Sequence, residues 1–472
     1  MRFGLSLNIQ HSQFHPRMPS SPLRALVCQL GAREHYLVAR CFAECGMLAG
    51  LATDFWSPLR PAKSGLFRHV PKVVMSAMAR YHPDLEGEPV FSAPALAVAR
   101  YGIGLFDKKG QYEGMVTRQF ARRLRELRIP HNVFFGYSYD SLEILQEERK
   151  NGVFTILCQT DPGAAHYKML VQEADRWPEY GMASASRWTE ARERRLREEW
   201  DLASVIVVNS EWTKNCIVQE GADPGKIEIL PLAYAVEGGG GVSEAGGRRP
   251  ESETSGLSPV PCSLSPAGGR WAVGGEMRED RGRRSDPSDA ATLTADRRSP
   301  ISAKLRVLWL GNVSLGKGIQ YLVEAARLLV DEPVEFVVGG TLHISASVIR
   351  DAPRNIRWIG RIPRSQTSEW YGKADVFVFP TLSDGFGITQ LEAMCAGVPV
   401  IATPNCGRVV EDGVNGFIVP ARDARALASA IYRFIQNPQL AKEMAPACLE
   451  TVKAFSVPVY ARRLLEIIAE QE

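Results

Sequence analysis

Between residues 305 and 402, short apolar runs alternate with stretches of helical period, and this alternation constrains the fold more than any other feature of the chain. LRVLWLG, VEFVVGG, NIRWIG, DVFVFP and PVIAT are near-continuously apolar, while IQYLVEAARLLV repeats apolar residues at Ile319, Leu322, Val323, Ala326 and Val330. A strand that is apolar on both faces is covered on both faces, and parallel strands need crossover helices between them. The pattern predicts an α/β domain with a doubly wound parallel sheet over residues 301–472.

The first half follows the same plan less regularly. RALVCQL (24–30), FTILCQT (154–160) and SVIVVNS (204–210) read as strands, GAREHYLVARCFAECG (31–46) as a glycine turn and a helix, and IEILPLAY closes the half. This predicts a second α/β domain over residues 1–235. Ligands of such sheets bind beyond the carboxyl ends of the strands, so two facing units would form a cleft. Between them, residues 236–300 hold 12 of the chain's 41 glycines with abundant Ser, Pro and Arg and no apolar period. Such composition cannot offset its ordering entropy and predicts a disordered insertion, either a passive linker or a basic docking segment through Arg248, Arg249, Arg281, Arg283 and Arg284.

Several function classes are disfavoured. A formal charge of +3 gives no overall basic field for nucleic acid, and no nucleic-acid-binding signature is present. The nine cysteines include no CxxC pair and no Cys/His cluster at metal-ligand spacing, which fits reduced thiols and a cytoplasmic setting; no metal site is expected. The apolar patch of MRFGLSLNIQHSQFHPRMPSS is too soon interrupted for a signal peptide, and no run approaches the ~18 apolar residues of a membrane helix. Any membrane contact would be peripheral: RQFARRLRELR (118–128) is a basic helix that either faces solvent or touches anionic lipid or an acidic acceptor. RWTEARERRLREEW (187–200) reads as an exposed, salt-bridged helix.

The chemistry concentrates in SDGFGITQLEAMCAGVPVIA (383–402). DVFVFP delivers the chain to the carboxyl edge of the sheet, where Pro380 ends the ladder for want of an amide proton. Gly385 and Gly387 let backbone approach a ligand, leaving amides near a helix start free for anionic or hydroxyl groups. Asp384 stays in the loop and Glu392 enters the helix; a carboxylate accepts through two oxygens, which suits vicinal hydroxyls of a sugar. Gly397 and Pro399 stop the helix.

From about 204 to 220 and from 305 to 436 the chain resembles the retaining glycosyltransferases of the GT-B fold, specifically glycosyltransferase family 4. The quoted stretch carries the resemblance, an acid and, eight positions on, a Glu inside EGFG-like and LEAMA-GVPVI-like sequence; VNSEWTKNCIVQEGADPGKIEILPLAY adds to it. The resemblance implies two Rossmann-like domains facing across a cleft and a nucleotide-sugar donor, with no separate cofactor and no metal. It implies that Glu392 binds the donor ribose, that Asp384 contacts the donor sugar near the reacting carbon, and that Lys317 of GNVSLGKG neutralises the diphosphate beside Gly318. Phe386 and Gly387 would present amides to sugar hydroxyls. Gly311 would permit the strand-to-loop turn, Arg361 would lie where the nucleobase is held, and Gly31 would approach the phosphates from the first domain. In TDPGAAH, Asp161 or His166 would bind acceptor hydroxyls, with a plain Asp-Pro-Gly turn as the alternative.

Two departures stand out. Asn312 follows Gly311 where the family often has Arg, and a neutral amide stabilises a leaving diphosphate less than a guanidinium does. Asp384 replaces the commoner Glu. The sequence therefore predicts a retaining transferase acting on a glycan, lipid or small-molecule acceptor, or alternatively a GT-B protein that binds a nucleotide sugar with weakened or lost turnover. A GT-B epimerase or phosphorylase is disfavoured by the LEAMCAGVPVI context.

Overall fold

The computed structural model describes residues 22–31, 33–57, 80–99, 114–181, 188–234 and 304–470. The amino-terminal patch weighed as a signal peptide and the 236–300 insertion lie outside the described residues.

The first sheet has seven strands: β1 (Ala25–Gln29), β2 (Leu48–Thr53), β3 (Val90–Ser92), β4 (Val133–Tyr137), β5 (Phe154–Gln159), β6 (Val205–Val208) and β7 (Ile227–Ile229), in spatial order 3-2-1-4-5-6-7. The second has six: β8 (Leu305–Leu310), β9 (Val334–Gly339), β10 (Ile356–Gly360), β11 (Val376–Phe379), β12 (Val400–Ala402) and β13 (Gly416–Ile418), in order 10-9-8-11-12-13. Neighbouring strands pair in parallel throughout both sheets. The doubly wound α/β reading therefore stands for both halves.

The apolar runs explain the layers. Along β8, Val307 and Trp309 face a core shared with Ile319, Leu322, Ile431 and Phe434, while Leu308 and Leu310 face the opposite core with Leu391, Met394 and Cys448. Alternate residues of one strand thus serve two buried layers.

The last helix, Val457–Ala469, leaves the second domain. Its Leu464, Ile467 and Ile468 are buried with Val27, Val38, Phe42 and Phe135 of the first domain, each such side chain contributing roughly 1.5–3 kcal/mol by burial. At the crossing, the Tyr234 amide donates to the Phe455 carbonyl at 2.7 Å.

The helix read from sequence as exposed and salt-bridged is Glu190–Leu202, and it is only partly solvated. Leu196 and Trp200 are buried, and Glu199 is fully buried, accepting from the amides of Tyr139, Ser141 and Leu142 at 2.7, 2.9 and 3.0 Å. Charge density alone concealed a carboxylate that serves as a cap inside the domain.

Candidate functional site

In the second sheet, β8 lies between β9 and β11, so the strand order reverses there and the loops after β8 and β11 leave on either side of a crevice. The two loops are knitted together. Leu382 N and Thr381 Oγ1 donate to the Gly316 carbonyl at 3.0 and 3.2 Å. Gly318 has φ 73°, and a Cβ there would overlap the Pro380 carbonyl. Only glycine meets both demands. This crossing sets Lys317 against Asp384: Nζ donates to Oδ2 in an ion pair whose side chains are 30% and 18% exposed. Asp384 Oδ1 accepts from the Phe386 amide at 3.3 Å. Phe386 itself is buried, its ring edge-on to Phe455 at 5.7 Å, so the loop is pinned from beneath.

Glu392 is held separately. It lies on the helix Thr389–Cys395 and accepts from the hydroxyl of buried Tyr371 at 2.9 Å. Burial, and secondarily the Glu392 charge, push the Tyr371 phenol well above its ordinary value, so it remains a donor.

The first domain meets this surface from across the cleft. Trp212 Nε1 donates to Ser383 Oγ at 3.1 Å, and a Cβ on Gly385 would overlap the Thr160 carbonyl. His166, in the first turn of the helix Ala164–Arg176, lies where a Cβ on Gly316 would be 3.5 Å from its Cε1. Burial lowers the His166 pKa and the Lys317 cation lowers it further, against opposing effects of Asp161 and Asp384. The sequence-derived residues Lys317, Asp384 and His166, with Asp161 nearby, therefore share one locus.

Residues 304–437 match the family described as Glycosyl transferases group 1. The second domain is a group 1 glycosyltransferase domain. Over 184 residues the chain is 30% identical to the D-inositol 3-phosphate glycosyltransferase of Streptosporangium roseum, a match covering 34% of this chain and 42% of that protein. It thus spans less than half the length of this relative. Among solved structures, the chain is similar to sucrose-phosphate synthase from Thermosynechococcus elongatus (TM-score 0.56, 14% identity, 95% of this chain and 98% of that one). It is similar also to Anabaena HepE in complex with UDP and glucose (TM-score 0.53, 13% identity, 95% and 100%). Both likenesses extend across the two domains, and the fold is GT-B.

The remaining sequence-derived residues sit around the group 1 domain's crevice with different degrees of engagement. Gly311 turns the chain out of β8 with its amide donating to Gly339, and Asn312 after it is exposed. Gly387 has φ 78°, and a Cβ there would strike the Phe379 ring. Arg361 is exposed just after β10. On the first-domain side, Gly31 has φ 93°, but its amide is taken by Asp54 Oδ1 at 2.8 Å, an oxygen that also accepts from Arg80 at 2.7 Å.

Sequence reasoning missed several residues that shape the cleft. After Gly31 the chain makes a left-handed excursion at Glu34, His35 and Tyr36 (φ 50°, 50° and 61°), where a regular helix start was expected. There Glu34 accepts from Tyr137 Oη at 3.4 Å, and burial raises its pKa to about 7. Tyr371 was also missed, because nothing in SQTSEWYGKA marks it as the partner of a distant glutamate. Glu220 accepts from the amides of Ala164 and Ala165, fixing the helix start that carries His166. Among the described residues no three His, Cys, Asp or Glu side chains gather as a metal-holding group, and no helix is long and apolar enough to cross a membrane.

Proposed function

We propose that the protein is a retaining glycosyltransferase that moves a sugar from a nucleotide-sugar donor to a hydroxyl acceptor. The observation that carries this reading is the Lys317–Asp384 pair at the switch point of the second sheet, faced by His166 from the first domain. A cation at the carboxyl edge of a parallel sheet suits a diphosphate, and an adjacent carboxylate suits the hydroxyls of the sugar it carries. The D-inositol 3-phosphate glycosyltransferase name of a relative agrees with glycosyl transfer, and the UDP and glucose of the HepE structure agree with this class of donor.

In this scheme the bond between the anomeric carbon and the phosphate oxygen breaks while the acceptor oxygen bonds to the same face of that carbon. The acceptor proton passes to the departing phosphate oxygen. Lys317, exchanging Asp384 for the diphosphate, and the loop amides would stabilise the leaving charge without reorganising at the moment of reaction. Glu392, oriented by Tyr371, would hold the ribose. His166, with its lowered pKa, is a neutral imidazole near pH 7 and can bond an acceptor hydroxyl without adding charge beside the developing oxocarbenium. The scheme calls for no metal ion.

The test is a panel of UDP-, GDP- and ADP-sugars offered to the full chain, with thermal shift read for binding and released nucleoside diphosphate for turnover. A Lys317→Ala, Glu392→Ala double variant should lose both. Binding without hydrolysis or transfer would instead identify a nucleotide-sugar-binding protein that has lost turnover.

A further inference from the structure

Three aromatic side chains from separate segments of the first domain meet beside His166. Tyr139 follows β4, Tyr167 lies on the helix Ala164–Arg176, and Trp188 precedes the helix Glu190–Leu202. The Tyr167 and Trp188 rings lie 4.8 Å apart at 31°, and Tyr139 stands edge-on to Trp188 at 6.2 Å. Tyr139 and Trp188 rest on the core beneath the sheet, yet all three remain partly exposed. The patch is polar at its edge. The Tyr139 hydroxyl donates to Asp161 Oδ1 at 2.6 Å, and the Arg192 guanidinium lies 4.2 Å from the Tyr139 ring centre and 5.7 Å from that of Trp188. Tyr167 meets His166 edge to face at 5.5 Å, which joins the patch to the Lys317–Asp384 locus.

From this arrangement we infer that Tyr139, Tyr167 and Trp188, with Asp161 and Arg192 at their rim, form an acceptor subsite for a pyranose ring. The inference rests on the transferase reading above and names its acceptor class as carbohydrate. A pyranose has a face of C–H groups with slightly positive hydrogens, which is drawn to the negative face of an aromatic ring, and hydroxyls at its edge that need polar partners. The patch supplies both. The Gly163 amide and Gln159 Nε2 also donate to Asp161 Oδ1, at 2.9 and 3.3 Å, so among the described residues Oδ2 is the oxygen left to a ligand hydroxyl. A hydrocarbon chain would gain from the aromatic wall but would desolvate the carboxylate and guanidinium at the rim without repayment. Rigid support also matters, because aromatic side chains already fixed on a core lose little entropy when a ligand arrives.

Saturation-transfer NMR on the full chain tests this, with methyl α-D-glucopyranoside, methyl α-D-mannopyranoside and methyl β-D-galactopyranoside as probes and 1,2-hexanediol as the alkyl control. Saturation should reach the ring C–H protons of at least one glycoside. Its apparent affinity should fall about tenfold in Trp188→Ala and Tyr167→Leu, the scale of one lost aromatic face contact, and be largely kept in Trp188→Phe. Absence of transfer to all three glycosides, equal transfer in wild type and both disruptive variants, or transfer to hexanediol alone would overturn the subsite. Thermal shift by UDP, GDP and ADP is read on the same samples. It should be unchanged in these variants, so loss of glycoside binding with nucleotide binding intact separates the subsite from the donor site. A wild-type chain that binds no nucleotide would fail the transferase reading instead.

Discussion

Glu173 and Arg422 form an ion pair at 2.7 Å although they belong to different domains. Glu173 is 1% exposed and also accepts from Gln320 Nε2 and the Tyr321 hydroxyl, both of the second domain and both at 2.9 Å. The same helix carries His166 in its first turn, so this clamp fixes how far that imidazole reaches toward Lys317. Replacing Glu173 with Ala removes the shared acceptor of buried Gln320 and Tyr321 and the partner of the exposed Arg422, while Gln320 keeps the Leu315 carbonyl and Arg422 keeps Gln172. It should cost about 1–3 kcal/mol in chemical denaturation, mostly from the lost hydrogen bonds to a buried carboxylate; a loss below ~0.5 kcal/mol would show that the clamp is not formed in solution.

The domains also touch at Gly385, where a Cβ would overlap the Thr160 carbonyl and approach Asn209 Nδ2 to 2.9 Å. A main-chain carbonyl held by Asn209 at 2.8 Å has little freedom to yield. Gly385→Ala should therefore wedge the cleft open, at a cost of about 1–3 kcal/mol to the closed arrangement. Small-angle scattering checks it: the variant should have a larger radius of gyration than wild type, and equal radii would refute the wedge.

Tyr371→Phe removes the hydroxyl that orients Glu392 while keeping the ring that packs edge-on against Phe377 at 5.5 Å. Hydrogen bonds to charged groups contribute ~1.5–3 kcal/mol. Calorimetric titration with UDP, GDP and ADP should find affinity for the preferred nucleotide weakened about tenfold or more. Unchanged affinity would mean that Glu392 does not need this partner to bind its ligand.

Glu34 gives stability a specific pH dependence. Its pKa is raised from 4.5 to about 7 by burial, so between these values the folded chain keeps a proton that the unfolded chain has released. The contribution is intact below the unfolded value and is lost as pH rises through the folded one. Wild type should lose up to about 2 kcal/mol relative to Glu34→Gln between roughly pH 5 and pH 8. Parallel stability curves for the two proteins across that interval would contradict a half-buried, proton-holding Glu34.

The second domain was legible because most of its strands are apolar on both faces, and β8 and β11 are followed by loops that contain glycine. LRVLWLG, VEFVVGG, NIRWIG, DVFVFP and PVIAT all lie on strands of one sheet. The GKG and SDGFG loops then follow from topology, since parallel strands deliver both to one edge. The first domain was harder to read. Its β2, LAGLAT, is small and weakly β-forming, and β4, VFFGY, carries a glycine where a Cβ would strike Ser141 and Phe134. The contacts that complete the site are longer in range still. Tyr371 with Glu392 and Glu173 with Arg422 pair residues far apart in sequence, and no local period or propensity encodes such partners.

The bond from the Tyr234 amide to the Phe455 carbonyl has a mechanical consequence. Among the described residues the polypeptide crosses from the first core at Leu230 to the second at Leu232 and Tyr234, and returns between Phe455 and Val457, and these two crossings are stitched side by side. A pair of tethers at one edge behaves like the spine of a book: the covers part and meet about a single line, while twisting one cover against the other would shear the stitch. Opening and closing of the space between the lobes would then share one direction of travel, governed by the few residues flanking that spine.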